Sequence, residues 1–359
     1  MIMKNMTTAL GLMSGTSLDG LDLALCRFRF QKTKWSFSVI RHQTVPYPAA
    51  WKKRLAEAHL LSGCDLIQAD AAYARYLASA INRFLKKSPV RPEVIGSHGH
   101  TVFHQPGNGF TFQLGSGAVI AALTGIDAVS DFRMTDVALG GQGAPLVPVG
   151  DALLFGEYDI CLNLGGIANL SFRKNKIRLA YDICPANMVL NKLASLKGMP
   201  FDKNGLLASK GKVNAALLKK LNRLPYYRTP FPKSLGREWF EGVFYPVVHN
   251  EKIHVEDKLA TCTEHAAIQI AEAIEQLNKK PCRVLTTGGG AKNSFLISRI
   301  IHHTSAQIIL PDESLIDMKE AIVFAFLAVL RIHNQSNCLQ SVTGAGRDSI
   351  SGAWYKGKR

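Results

Sequence analysis

Residues 12 to 22 read Leu-Met-Ser-Gly-Thr-Ser-Leu-Asp-Gly-Leu-Asp, a run that gathers two glycines, three hydroxyls and two carboxylates between apolar flanks. Gly15 and Gly20 can take positive φ and let backbone N–H groups approach an anion. Ser14, Thr16 and Ser17 add hydroxyl donors, and Asp19 and Asp22 can hold a hydrated Mg²⁺ beside phosphates. An ordinary polar hairpin turn has the same composition, so the run alone does not decide the matter. It is not a Walker loop, because no Gly-Lys-Ser/Thr follows and the next segment reads as strand.

Two further glycine turns follow apparent strands, Gly165-Gly166 and Gly288-Gly289-Gly290. Singly each is only a turn signal. At equivalent places in two α/β halves they describe a cleft able to clasp a nucleoside triphosphate. Asp182 ends a strand (Leu-Ala-Tyr-Asp) and precedes a turn into a helix, where a carboxylate can serve as a general base and the helix start can offer N–H groups to phosphate. A helix cap is the plain alternative.

His98, His100 and His104 fall within one short segment, and strand alternation puts His98 and His100 on one face. No carboxylate or cysteine nearby completes a metal shell, so hydrogen bonding to a sugar, or within the structure, is the better reading. Arg133 and Asp136 close another strand, where Arg can fork onto a carboxylate and Asp suits sugar hydroxyls; a structural ion pair is the alternative. Glu320, beside Lys319 at the start of an apolar helix, is a possible substrate contact, though a helix N-terminus favours Glu without any function. The polar loop Pro232 to Glu238 can line the same cleft, but loop charges are usually only solvated.

The elements that must position these groups alternate between strand and helix. Residues 7–13, 21–30 and 35–45 read as three strands, 64–85 as an amphipathic helix, and 92–97, 109–114 and 128–132 as strands with a helix at 115–123. The pattern then repeats: strands at 158–164, 167–172 and 177–182, helices at 187–196 and 257–277, a strand at 283–287 and a helix from Lys292. A last apolar helix is predicted over 319–333, too short to span a membrane comfortably. The prediction is a duplicated α/β fold, with an N-terminal domain over 1–145, a C-terminal domain over 146–359 whose final helix can pack back on the first, and a cleft shared by the two.

A length of 359 residues with 47% hydrophobic and 19% charged residues fits a globular protein of about two domains. The amino-terminal run is too short and glycine-broken for a signal peptide or membrane span, so a cytoplasmic protein with no membrane partner is expected. Seven scattered cysteines, none in a Cys-x-x-Cys pair, fit reduced thiols rather than a disulfide framework. The formal charge of +16 attracts anions generally, but Lys and Arg lie in small groups, and no helix-turn-helix or zinc module marks a specific nucleic-acid partner. No motif sets the oligomeric state, and a homodimer is the assembly entertained.

Ten blocks in order carry a resemblance: GLMSGTSLDGLD, GSHGHTVFHQP, DFRMTDVALGGQGAPLVP, LNLGGIANLSF, YDICPAN, FDKNG, FPKSLGRE, TTGGGAKN, MKEAIVFAFLA and SVTGA. Through them the chain resembles the anhydro-N-acetylmuramic acid kinases of bacterial cell-wall recycling, over nearly its whole length. The resemblance implies the actin-like (ribonuclease H-like) ATPase fold. It also implies an ATP- and Mg²⁺-dependent reaction in which water opens the anhydro ring of 1,6-anhydro-N-acetylmuramic acid and O6 takes the γ-phosphoryl, giving N-acetylmuramic acid 6-phosphate. The catalytic base falls on Asp182. Nucleotide binding falls on Gly15, Thr16, Ser17, Leu18, Asp19, Gly20, Leu21, Asp22, Gly165, Gly166, Gly288, Gly289 and Gly290. Sugar binding is expected of His98, Arg133, Asp136 and Glu320, and Mg²⁺ contact, through water, of Asp19. A related amino-sugar kinase, or a sensing binder that has lost turnover, is the alternative. The chain departs from the family pattern after the base: Ile183, Cys184 and Ala186 stand where Thr, Gly and Gly are usual, and His100 where Gln is usual. If those positions needed positive φ, Cys184 and Ala186 would be strained.

Overall fold

The computed structural model describes residues 5–15, 18–277 and 282–357. Contacts divide the chain into two units, Met1–Phe155 with Met318–Arg359, and Gly156–Asp317.

The first unit opens with β1 (Met6–Ser14), β2 (Gly20–Gln31) and β3 (Lys34–Pro46), an antiparallel meander. Residues 9 to 12 of β1 are all buried, as a strand covered on both faces requires, whereas β3 at the sheet edge exposes Lys34, His42 and Gln43. Helices α1 (Ala49–Ala56) and α2 (Gly63–Leu85) follow. The hydroxyl of Ser62 caps α2 by accepting from the Asp65 N–H, and the helix buries Tyr73, Leu77, Ile81 and Phe84, one stripe at spacings of three and four. That stripe joins Leu21, Leu23 and Leu25 of β2 in one core. Then come β4 (Val94–Ser97), the small hairpin of β5 (His100–Gln105) with β6 (Phe110–Leu114), α3 (Gly117–Thr124), β7 (Asp127–Ser130), α4 (Met134–Ala138) and α5 (Pro148–Leu153).

The second unit begins with the antiparallel strands β8 (Ile160–Leu164), β9 (Ile167–Lys174) and β10 (Ile177–Pro185), followed by α6 (Asn187–Ser195). The short helices α7 (Ala215–Asn222), α8 (Arg237–Trp239) and α9 (Tyr245–His249) lead to α10 (Val255–Leu277), β11 (Arg283–Thr287), α11 (Ser294–His303) and β12 (Gln307–Ile309). Ile270 and Ile274 of α10 and Leu296 and Ile300 of α11 pack with Leu162 and Leu170 of the sheet.

Helix α12 (Glu313–Ile332) starts ahead of the Lys319 read from sequence, and its residues from Met318 onward count to the first unit, which α13 (Gln340–Thr343) and β13 (Ala353–Tyr355) complete. Its close seat is made by two glycines that pair across adjacent parallel strands, Gly11 of β1 and Gly96 of β4. A Cβ at Gly11 would lie 1.7 Å from the Ala321 carbonyl oxygen, and one at Gly96 2.1 Å from that of Phe324. Only hydrogen fits there.

Among the described residues the sheet of the first unit runs β13-β7-β4-β1-β2-β3 and that of the second β10-β9-β8-β11-β12. In each, an antiparallel meander is followed by strands parallel to the first: β4 pairs parallel with β1 and β7, as β11 does with β8 and β12. This repeated order is the duplicated layout of the actin-like, ribonuclease H-like ATPase fold, as the sequence pattern predicts. The same order puts the glycine turns after β1, β8 and β11 at the ends of their strands.

Candidate active site

In the first unit, β1 delivers Ser14 to the glycine turn. Its hydroxyl points inward: Tyr47 donates to Oγ at 2.8 Å, His100 Nδ1 lies 3.1 Å away, and Tyr47 in turn meets the Tyr73 hydroxyl at 2.6 Å. Ser14 is therefore an anchor of the turn rather than the donor expected from its residue type. Among the described residues of the turn, Leu18 is left-handed, with φ 58°. Gly20 is small for a steric reason, since a Cβ would lie 2.7 Å from the Val45 carbonyl oxygen. Thr16 and Ser17 lie outside the described residues. Asp19 is exposed, Leu21 is in the core, so that only its backbone can meet a ligand, and Asp22 Oδ1 accepts from the Thr44 hydroxyl at 2.6 Å.

His98 and His100 do not behave as residues on one face of a strand. Gly99, at φ 73°, breaks the alternation between them, and they take different partners. His98 Nδ1 meets the Gly99 carbonyl at 2.9 Å and must donate to it, which leaves Nε2 to accept from Arg133 Nε at 3.2 Å and Nη2 at 2.8 Å. Burial and then the Arg133 charge hold the His98 pKa well below its ordinary value, so the ring is neutral. Burial alone brings His100 down to about 4. Arg133 also donates to the Gly143 carbonyl at 2.6 Å.

Glu320, half-buried in the first unit, has its carboxyl pushed up by burial, opposed by Arg133 and Lys319 and reinforced by Asp22. Neighbouring Lys319 is anchored by a buried ion pair with Asp151 of α5 at 2.8 Å. The unit thus links His98 to Arg133, Arg133 to Glu320, and Glu320 to Asp22. Asp136 does not join them as a ligand group. It is fully buried, with Oδ1 accepting from Thr343 at 2.7 Å and Cys338 at 3.1 Å and Oδ2 from the Gly143 N–H at 2.8 Å. Those bonds tie α4, the Gly140 to Gly143 loop and α13 together, which is the structural role its sequence left open.

In the second unit, β10 carries half-buried Asp182 to a bulge, where the pairing with β9 shifts between Asp182 and Cys184. The Leu235 N–H donates to Asp182 Oδ2 at 2.9 Å, the Asp182 N–H to the Lys233 carbonyl at 3.3 Å, and the Tyr226 hydroxyl to the Asp182 carbonyl at 2.5 Å. The loop that sequence reasoning weighted least therefore clasps the candidate base. Lys233 Nζ lies 4.6 Å from the Tyr226 ring centroid. Burial pushes the Asp182 carboxyl up, and the Leu235 N–H partly offsets this. Asp182 caps no helix. The residue ahead of α6 is Ala186, at φ −124°, and Cys184 likewise has no positive φ. The feared left-handed strain is absent.

The N–H groups at the start of α6 are already bonded. Ala186 and Met188 donate to the Gly166 carbonyl at 2.9 and 3.0 Å, and Asn187 to that of Gly165 at 3.1 Å. This corrects the expectation that they serve phosphate: their role is to fix the Gly165-Gly166 turn. The Asn187 side chain adds a bond to the Leu164 carbonyl at 3.0 Å. Gly288, at φ 84°, and Gly290 pack on the same place, and a Cβ at Gly290 would lie 2.8 Å from the Leu164 Cβ. The two glycine turns of this unit are thus one assembly. The sequence gives no sign of the roles of Asn187, Tyr47 and Tyr73, because an Asn in the first turn of a helix and two core tyrosines carry no local signature of them.

Among the described residues no group of three or more His, Cys, Asp and Glu side chains gathers as for a metal ion, and no helix is long and apolar enough to cross a membrane.

A sequence model of the anhydro-N-acetylmuramic acid kinase family matches residues 7–357. Relatives named anhydro-N-acetylmuramic acid kinase include that of Sulfurovum sp. (strain NBC37-1), 36% identical over 96% of this chain and 98% of its own. That of Gloeobacter violaceus is 38% identical over 95% and 96%, and that of Vibrio cholerae 37% over 96% and 97%. Among solved structures, component A of (R)-2-hydroxyglutaryl-CoA dehydratase from Acidaminococcus fermentans is similar at TM-score 0.46 and 11% identity, covering 91% of this chain and 99% of that one. The xylulose kinase of Lactobacillus acidophilus is similar at TM-score 0.45 and 12% identity, covering 90% and 89%.

Proposed function

The chain belongs to the anhydro-N-acetylmuramic acid kinase family, and from that premise we propose that Asp182 is the base with which it opens 1,6-anhydro-N-acetylmuramic acid. Asp182 takes a proton from water as the water oxygen bonds to C1. The C1–O6 bond breaks, and O6 takes the γ-phosphoryl group of ATP. The products are N-acetylmuramic acid 6-phosphate and ADP, as needed to return cell-wall sugar to metabolism in the cytoplasm.

The single observation that carries this assignment is the clasp on Asp182. One carboxylate oxygen is fixed by a backbone N–H at 2.9 Å, and burial raises the carboxyl pKa, which makes a carboxylate a better proton acceptor than one in water. His98, kept neutral by burial and by Arg133, and Glu320 are the sugar-binding candidates. Arg133 adds a fixed positive charge where an anionic sugar acid must be held. Asp136 contributes by holding the Gly143 loop that Arg133 also grips.

Gly15 to Asp22 of the first unit, and Gly165, Gly166 and Gly288 to Gly290 of the second, take part in holding ATP. Exposed Asp19 and half-buried Asp22 are hard oxygen donors without a gathered ligand set, which suits Mg²⁺, an ion commonly held by one or two carboxylates, water and substrate phosphates. Such an ion supplies charge neutralisation on the phosphates.

Incubation with Mg-ATP and 1,6-anhydro-N-acetylmuramic acid is expected to yield the 6-phosphate by mass spectrometry. Asp182→Asn should lower kcat by about 10²-fold or more, with little change in sugar or ATP affinity. Wild-type protein that forms no 6-phosphate, or an Asp182→Asn variant with ordinary turnover, would overturn the assignment.

A further inference from the structure

A concave site lies in the first unit, lined by none of the groups proposed to hold sugar or nucleotide. A cavity of about 550 Å³ is lined by Arg41, His42 and Gln43 of the edge strand β3 and by Arg83, Lys86 and Lys87 at the end of α2. Two Arg, two Lys and a histidine border it, and no Asp or Glu lines it. Arg41, Arg83, Lys86 and Lys87 form no ion pair with any described carboxylate.

Two of the cations are held in place before any ligand arrives. The Arg41 guanidinium lies 4.7 Å from the centroid of the Phe84 ring, and Arg83 Nη1 donates to the Ser79 hydroxyl at 3.1 Å. The helix dipole accounts for some positive charge at the end of α2, and an exposed sheet edge for an isolated cation on β3. Neither accounts for the two sets converging on one cavity. Like charges crowded on a concave surface raise the local potential, and a bound anion relieves it.

We propose that this cavity binds a phosphate monoester borne on a small polar molecule such as a sugar. Arg41 presents a planar fork to two phosphate oxygens, and Arg83, Lys86 and Lys87 supply the remaining charge for a dianion. Gln43 offers a neutral donor and acceptor for a hydroxyl of the bearer. The volume is that of a small-ligand pocket rather than of a single ion. The site is independent of the catalytic assignment, because none of its residues belongs to the proposed machinery.

Isothermal titration of the full chain with glucosamine 6-phosphate, and separately with inorganic phosphate, tests the proposal. A saturating non-hydrolysable ATP analogue keeps the nucleotide site filled. The expected result is saturable binding of the sugar phosphate, tighter than that of inorganic phosphate and weakened by added salt. Arg41→Gln, and separately the exposed pair Arg83→Gln/Lys87→Gln, should each weaken it about tenfold or more while kinase turnover is unchanged. If Arg41→Gln lowers the thermal midpoint, the exposed pair decides the outcome. No binding by the wild type, affinity unchanged in the exposed pair, or binding only to phosphatidylglycerol vesicles overturns the proposal.

Discussion

At the residue scale the chemistry turns on which protonation states the fold imposes. The proposed base Asp182 must be ionised to take a proton, and burial raises its carboxyl above the ordinary aspartate value, near 4. The acid limb of kcat/KM should therefore lie at higher pH than a solvent-exposed aspartate would give, with activity lost as pH falls through the raised pKa. Leu235→Pro removes the N–H that partly offsets that rise, so the limb should move further up in pH, while Leu235→Ala, which keeps the N–H, should leave it in place. An identical limb in both variants would show that the Leu235 amide does not tune Asp182. The same shift has an opposite face in stability. A carboxyl whose folded pKa exceeds its unfolded one destabilises the native state at pH values above both, and the penalty vanishes below both. Asp182→Asn should thus raise the thermal midpoint at pH 7 while abolishing most turnover, and a lower midpoint would contradict the reading. His98 shows what the sequence left unread: the motif marked a histidine fit to bind sugar, but its Nε2 is taken up by Arg133, distant in sequence and adjacent only after folding.

At the element scale, the strands and the long helices were readable because their signals are local. The apolar residues of β1, β2, β8 and β9, broken by glycine turns, and the buried stripe of α2 announce themselves in short windows. What escaped lacks such windows. The short helices α7, α8 and α9 are held by tertiary packing around Phe240 and Phe244, and β13 is three residues paired at the edge of β7. Loop Pro232 to Gly236 looked like solvated charge because its bonds to Asp182 are made by backbone groups, which have no sequence signature. The seat of α12 shows the reverse case, glycines with no local turn to explain them. Gly96→Ala would place a methyl group 2.1 Å from the Phe324 carbonyl oxygen, and neither partner is a flexible side chain. The expected loss is about 3 kcal/mol or more in chemical denaturation, with Gly11→Ala at least as severe. Loss below about 0.5 kcal/mol would mean that the helix can lift from its seat.

At the scale of the whole molecule, the charge of +16 is a long-range property rather than a site. Retention of duplex DNA in filter binding is expected at low salt and should disappear near 0.15 M, where screening acts over about 8 Å. Sequence-selective retention surviving that salt would instead mark a nucleic-acid partner that no motif predicts. The order of the chain has a different reach. The second unit is one contiguous segment, whereas the first needs the segments on either side of it, because α12 fills the glycine seat of β1 and β4, and β13 pairs with β7. On the ribosome, which makes protein from the amino terminus, the first unit emerges with its seat empty and one sheet edge open. It must wait, its apolar face uncovered, until the entire second unit and then α12 to β13 have been synthesised. In the cell, then, the half that begins first is the half that finishes last, and chaperone demand should fall on the interval between them.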